Sequence, residues 1–208
     1  MNLFAEQAPK PERARPIPDL VVREALERDL EALGRIAAER EGGDPESHRT
    51  AFVTLLRDSV PAGDGRLLVA VMGDDVMGFG KVARFRHSLN AEAGLASDIA
   101  PEGWYLAGVV VSAEWRRRGV GDRLTASRLE WIARRATRAY YFVNARNTVS
   151  IDLHRRFGFI EVTRQFSFPG ASFEGGKGIL FEAELAPGGV AKFATCSGAN
   201  GEGTPHDE

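Results

Sequence analysis

An apolar stretch, residues 104–111, runs without a charge or a proline into Ser112-Ala113-Glu114-Trp115-Arg116-Arg117-Arg118-Gly119-Val120-Gly121, and a helix-forming segment follows. This junction constrains the fold more tightly than any other part of the chain. A buried strand leading directly into a helix lays that helix over a sheet and brings the next strand back parallel, by a right-handed crossover. The residues of the junction also carry chemistry. Glycine lacks the Cβ that would keep the backbone away from an anion. The first turn of a helix offers peptide N–H groups without partners and the positive end of the helix dipole. Arginine adds a permanent charge and a planar donor fork suited to phosphate oxygens. The junction reads as a cradle for a phosphate-bearing ligand.

Hydrophobic spacing sets out the other elements. Leu20-Val21-Val22-Arg23 reads as a strand, and Leu30, Leu33, Ile36 and Ala37 recur at helical spacing until Gly42-Gly43. Asp44-Pro45 opens a second helix, with Asp44 as its cap and Phe52, Val53, Leu55 and Leu56 on its apolar side. Residues 66–72 and 76–85 form a hairpin around Gly73-Asp74-Asp75, and residues 87–103 show no periodicity. The helix after the junction is expected over 120–137. Leu124 with Trp131, and Leu129 with Ile132, Ala133 and Ala136, make two apolar arcs parted by Arg and Glu stripes. A strand at 140–143, a short helix at 147–157 ended by Gly158, and strands at 159–168 and 178–184 complete the chain. The order β-α-α-β-β-β-α-β-α-β-β implies an α/β (α+β) domain: a mixed, mostly antiparallel sheet of about seven strands with helices on both faces.

The chain of 208 residues suffices for one domain with its own core, expected over 19–186. Residues 1–18, with Pro9, Pro11, Pro16 and Pro18 among charges, read as a flexible extension. Residues 187–208, rich in glycine and small polar side chains, read as a flexible tail. The start of the chain lacks a signal-peptide apolar run, which makes the cytoplasm the expected compartment. An apolar content of 43% and a charged content of 27% argue against both disorder and a membrane span. A net charge of −2 and a pI near 6.1 argue against nucleic acid as a partner. The single cysteine, Cys196, has no internal disulfide partner and sits in the tail, away from groups that would support a nucleophile. No metal site is expected.

A second motif begins 26 residues beyond Gly121: Asn147-x-x-Ser150-x-x-Leu153-His154-x-x-Phe157-Gly158-Phe159. On a helix Asn147, Ser150 and His154 share one face, while Val149, Leu153 and Phe157 form an adjoining stripe expected to face the core. Together with Arg116-x-x-Gly119-x-Gly121 behind an apolar strand, and with the order of elements, this resembles the GNAT superfamily of N-acetyltransferases. Their acetyl donor is acetyl-coenzyme A (acetyl-CoA). The two motifs span residues 104–159, and the order of elements extends the likeness over nearly the whole expected domain.

The resemblance implies a cofactor site. The pantetheine arm would lie along the strand at Val109 and Val111, and the pyrophosphate on the peptide N–H groups of Arg116, Arg117, Arg118, Gly119, Val120 and Gly121. Asn147 and Ser150 would border the arm. The arginine side chains read either as phosphate contacts or as a solvated face, and Asn147 either as a cofactor contact or as a helix cap. Many members carry tyrosine where His154 stands, proposed to protonate the departing thiolate, so the resemblance gives His154 the catalytic role of general acid. An imidazole of reference pKa about 6.5 can deliver a proton near neutral pH, although a lone helical histidine also has a structural reading. Several members place a glutamate base on the central strand. No carboxylate lies within 105–111, which leaves Glu92, Asp98 and Glu102 as base, as anionic collar, or as solvated loop. Phe85, Tyr105 and Phe173 read as acceptor-pocket lining or as core. The implied function is direct transfer of an acetyl group to a primary amine of a small molecule or protein, with a non-catalytic acyl-CoA binding module as the alternative. A homodimer is compatible with either.

Overall fold

A computed structural model of the chain describes residues 19–87, 98–173 and 177–186, with Ile17 and the backbone of Asn2–Leu3. Seven strands build the sheet: β1 (Val21–Glu24), β2 (Gly65–Met72), β3 (Asp75–Phe85), β4 (Gly103–Val111), β5 (Arg138–Asn144), β6 (Ile160–Thr163) and β7 (Gly178–Glu184). Their spatial order is β1-β2-β3-β4-β5-β7-β6, and every neighbouring pair is antiparallel except β4 with β5. This is the mixed, mostly antiparallel sheet that the order of elements implies. Asn2–Leu3 forms a separate two-residue parallel ladder with Ala171–Ser172. The rest of the expected N-terminal extension, Ile17 apart, and all of residues 187–208 lie outside the described residues.

Four helices cover the sheet: α1 (Leu30–Glu41), α2 (Pro45–Thr54), α3 (Val120–Ala133) and α4 (Thr148–Arg155). Successive side chains of a strand point to opposite faces. One set, Leu67, Val69, Phe79 and Val110, packs under α1 and α2 against Leu33, Ile36, Ala37 and Phe52. The other set, with Leu68, Ala70, Met77, Val82 and Leu106, meets Leu124, Leu129 and Ile132 of α3, joined by Ile151 of α4. Asp44 caps α2 by accepting the Ser47 N–H at 2.9 Å, and Gly42, at φ 75°, ends α1. A two-bond ion pair of Arg23 with the buried Asp29, at 2.6 and 2.8 Å, ties β1 to the start of α1. Among the described residues no helix is long and apolar enough to cross a membrane.

Two boundaries differ from the hydrophobic pattern. Helix α3 stops at Ala133 rather than near 137, because the Ile132 carbonyl accepts from both Arg135 and Ala136, at 2.7 and 2.9 Å, and tightens the last turn. That frees the following residues to enter β5 at Arg138. Strand β6 ends at Thr163 rather than 168, where the Thr163 hydroxyl accepts the Gln165 N–H at 3.0 Å and turns the chain out of the ladder. Beyond it, Ser167 makes an isolated parallel bridge with Ile99.

The two halves of the sheet meet at a single described pair, Tyr105 of β4 opposite Tyr140 of β5. Past that point β4 continues to Val111 and β5 to Asn144 without pairing, so the two strands splay apart.

Candidate active site

The splay leaves one edge of β4 open, and the register shows which groups it presents. The Ser112 N–H reaches back to Met77 O at 3.0 Å, so Ser112, and Val110 two residues before it, turn their main chain toward β3. Val109 and Val111 therefore point their N–H and C=O groups into the gap left by β5. Their side chains pack on the α3 face, beside Met77, Val120 and Leu124. Just before Val109 the ladder has a β-bulge: Gly80 pairs with Val109 and Val82 with Leu106, leaving Lys81 opposite both Ala107 and Gly108. Gly108 holds φ 91°, a conformation that favours glycine.

The arginine-glycine turn lies at the end of that edge. Gly119 is the N-cap of α3 at φ 85°, and Arg117 before it is also left-handed at φ 65°. Among the described residues the N–H groups of Arg117, Arg118, Gly119, Val120, Gly121 and Asp122 have no carbonyl or side-chain partner. Such a run at a helix N-terminus, with the dipole behind it, is an anion nest. Gly121 keeps the wall thin: a Cβ there would stand 3.5 Å from Leu153 of α4.

The arginine side chains divide three ways. Arg116 turns back: its Nε donates to Val111 O at 3.0 Å, and its guanidinium lies 3.5 Å from Glu39 of α1. Arg118 stacks over Trp115, 5.3 Å from the ring centre. Arg117 keeps a buried Nε without a partner, an unsatisfied donor at the rim of the nest. Glu39 of α1, which belongs to neither motif, organises this corner. It accepts the Ala113 N–H at 2.9 Å as well as facing Arg116. Its distance along the chain, 74 residues from Ala113, hides that role from any local pattern.

Helix α4 turns differently from its predicted wheel. Ile151 and His154 are buried, together with Asn147 and Phe157, whereas Val149 and Leu153 are only half-buried. Leu153 packs against the edge of the core that holds Phe157 and also reaches the start of α3. Asn147 acts as a cap, its Oδ1 accepting the Ser150 N–H at 3.1 Å. His154 is 3% exposed and stacks on Tyr141 at 3.9 Å between ring centres. Its Nδ1 lies 2.8 Å from Ser150 O; a carbonyl only accepts, so Nδ1 carries the proton and Nε2 of the neutral ring carries none. Burial, and then the nearby Arg128 charge, push the imidazole down to about 3. At neutral pH the neutral ring carries its one proton on Nδ1, toward the Ser150 carbonyl. The shared polar face of Asn147, Ser150 and His154 is thus largely closed into the core.

Two of the expected bases, Glu102 and Asp98, are among the described residues, and both are exposed. Glu102 is exposed at the opening of β4, where it accepts the His87 N–H. It sits seven residues before Val109, roughly 20 Å along an extended strand. Asp98 is exposed in the same loop, and Glu92 lies outside the described residues. Phe85, Tyr105 and Phe173 do meet in one aromatic cluster with Tyr140, Phe142, Phe166 and Phe168. Tyr105 is buried in it and donates to Pro101 O at 2.6 Å, while Phe85, Phe142 and Phe168 are half-buried.

A half-buried cation and a fully buried one flank the bulge. Lys81 lies on the α2 side, its ammonium 5.9 Å from the Phe52 ring centre, and burial lowers its pKa. Arg128 of α3 is completely buried on the other side. Neither belongs to a motif, and Arg128 falls in a charged stripe between the apolar arcs of α3.

Residues 24–159 match the model of the Acetyltransferase (GNAT) family, and the chain belongs to that family. No curated protein matches it significantly. Among solved structures it is similar to a ribosomal-protein-alanine N-acetyltransferase from Brucella melitensis, at 24% identity and TM-score 0.57, over 79% of this chain and 99% of that one. It is also similar to yncA, a putative acetyltransferase from Salmonella typhimurium solved with its cofactor acetyl-CoA, at 16% identity and TM-score 0.59, over 86% and 99% of the two chains. Ard1 from Thermoplasma volcanium shares the fold at 16% identity and TM-score 0.58, over 81% and 99%. These likenesses establish the fold. The splayed edge and the donor nest fit a long extended arm joined to a pyrophosphate, the shape of the pantetheine half of acetyl-CoA.

Proposed function

We propose that this chain transfers an acetyl group directly from acetyl-CoA to a primary amine of a small molecule or protein, in the cytoplasm and without an acyl-enzyme. The observation that carries this reading is the open edge of β4 running into a nest of unpartnered N–H groups. Bound acetyl-CoA supplies a thioester: the amine nitrogen forms the C–N bond as the C–S bond breaks, and the proton lost by nitrogen balances the electron pair left on sulfur. Val109 and Val111 hold the arm through main-chain hydrogen bonds, as an added strand would be held. The N–H groups from Arg117 onward hold the pyrophosphate. The Val109 N–H donates to the thioester oxygen and stabilises the charge that develops there. Catalysis by this chain is positioning and electrostatics. His154, neutral and braced by Tyr141, is assigned a wall of the site, and the thiolate takes its proton from solvent.

Thiol release measured against a panel of amines tests the reading. Amine-dependent release with one acetylated product per thiol is expected; label from acetyl-CoA retained on the protein during turnover overturns direct transfer. A second reading, an acyl-CoA binding module without turnover, is favoured by the neutral His154 and by the distance of Glu102 from the gap. It predicts acetyl-CoA binding in calorimetry with no thiol release from any amine. His154→Ala separates the roles: a wall residue costs affinity more than turnover, whereas an acid costs turnover alone.

A further inference from the structure

Arg128 is the largest fully buried side chain of the described structure, at 0% exposure, and among the described residues it has no carboxylate partner. Its Nε donates to Leu124 O at 3.2 Å and its Nη2 to the Thr125 hydroxyl at 3.0 Å. Its Nη1 reaches Gly108 O at 3.0 Å and, more weakly, Lys81 O at 3.4 Å. Both carbonyls belong to the bulge, where Lys81 stands opposite Ala107 and Gly108 together. Room for the guanidinium comes from Gly80, where a Cβ would stand 2.9 Å from Cδ and Nε of Arg128.

A neutral donor would satisfy two carbonyls at far lower cost, because a buried charge without a counter-ion is expensive. The direction of the Gly108–Val109 peptide supplies a use for the charge. In a trans peptide the C=O and N–H point opposite ways. Gly108 O faces Arg128 on the β3 side, and the N–H of the same peptide, on Val109, faces the gap. A cation on the carbonyl end polarises the peptide and strengthens its N–H as a donor, as in any hydrogen-bond chain in a low dielectric. We propose that Arg128 is a positioning residue that aims and polarises the Val109 N–H toward the thioester carbonyl oxygen of bound acetyl-CoA. This rests on the acetyl-CoA reading above. Negative charge developing on that oxygen is the counter-charge that the buried guanidinium lacks in the free protein.

The test is the infrared carbonyl stretch of acetyl-CoA labelled with carbon-13 at the thioester carbonyl, bound to the full chain, which needs no acceptor amine. The wild type shifts the stretch below its solution frequency. Arg128→Met at least halves that shift while leaving the affinity for CoA itself within about threefold, and Arg128→Lys restores part of it. Gly80→Ala, which crowds the guanidinium without removing its charge, lowers the shift as well. An unchanged shift in folded Arg128→Met or Gly80→Ala overturns the proposal. So does a wild-type complex that binds acetyl-CoA with no shift, a result that needs no variant to fold. Failure of the wild type to bind acetyl-CoA at all removes the acetyl-CoA reading itself and this proposal with it.

Discussion

His154 shows how a side chain's surroundings decide its chemistry. Unfolded, its imidazole titrates near 6.5; folded, it stays neutral down to about 3. Between those values the unfolded chain binds the extra proton, so stability falls as the pH drops through this window, by up to ~1.4 kcal/mol per pH unit. Urea denaturation at pH 7 and pH 4.5 is expected to show that loss in the wild type. His154→Phe, which keeps a ring on Tyr141, should flatten it, and equal losses in both proteins would mean that His154 is not the buried group responsible. Glu39 and Arg116 make a second case. Their contact at 3.5 Å joins side chains 40% and 37% exposed, so solvent screens it, and the Glu39 bond to the Ala113 N–H matters more. Glu39→Ala should weaken acetyl-CoA binding about as much as Arg116→Ala, by roughly 1 kcal/mol each. The double variant should cost less than the sum, because both residues hold one turn. Full additivity in calorimetry would show that Arg116 grips phosphate independently.

Strand β4 works through its irregularity. The bulge turns Val109 and Val111 to the open edge, and Gly108 at φ 91° is the residue that allows it. A Cβ at this position meets nothing closer than Lys81 Cε at 3.9 Å, so Gly108→Ala acts by backbone strain and not by collision. Thermal denaturation should report about 1 kcal/mol lost. Turnover should fall about tenfold or more as the Val109 N–H is re-aimed. Retained turnover would show that the bulge does not aim the donor. The apolar run of residues 104–111 announced a buried strand, and Gly108 within it is the kind of residue a bulge uses, but the bulge itself is a mismatch with a partner strand that the run does not record. Helix α3 carries the same lesson. Arg128 falls in a charged stripe between two apolar arcs, and helical periodicity does not record that its side chain reaches the carbonyls of a distant strand pair.

The sheet as a unit is two antiparallel halves meeting at Tyr105 and Tyr140, with a gap that a ligand would bridge. Hydrogen exchange in the free protein should be fast at the amides of Val109 and Val111 and slow at Ser112, whose N–H is held by Met77 O. Acetyl-CoA should protect Val109 and Val111 and, at a hundred times its dissociation constant, stabilise the fold by about 2.7 kcal/mol. Slow exchange at both valines without ligand would place another partner on that edge. The order of elements, the hairpin, the Asp44 cap and the arginine-glycine turn were all readable along the chain, because each depends on neighbours within a few residues. The turn's glycines sufficed to announce an anion nest. The splay, the bulge, the burial of His154 and Arg128, and the hold of Glu39 on a turn 74 residues away were not readable. They arise where separate segments compete for space and hydrogen-bond partners, and that competition exists only once the chain has folded.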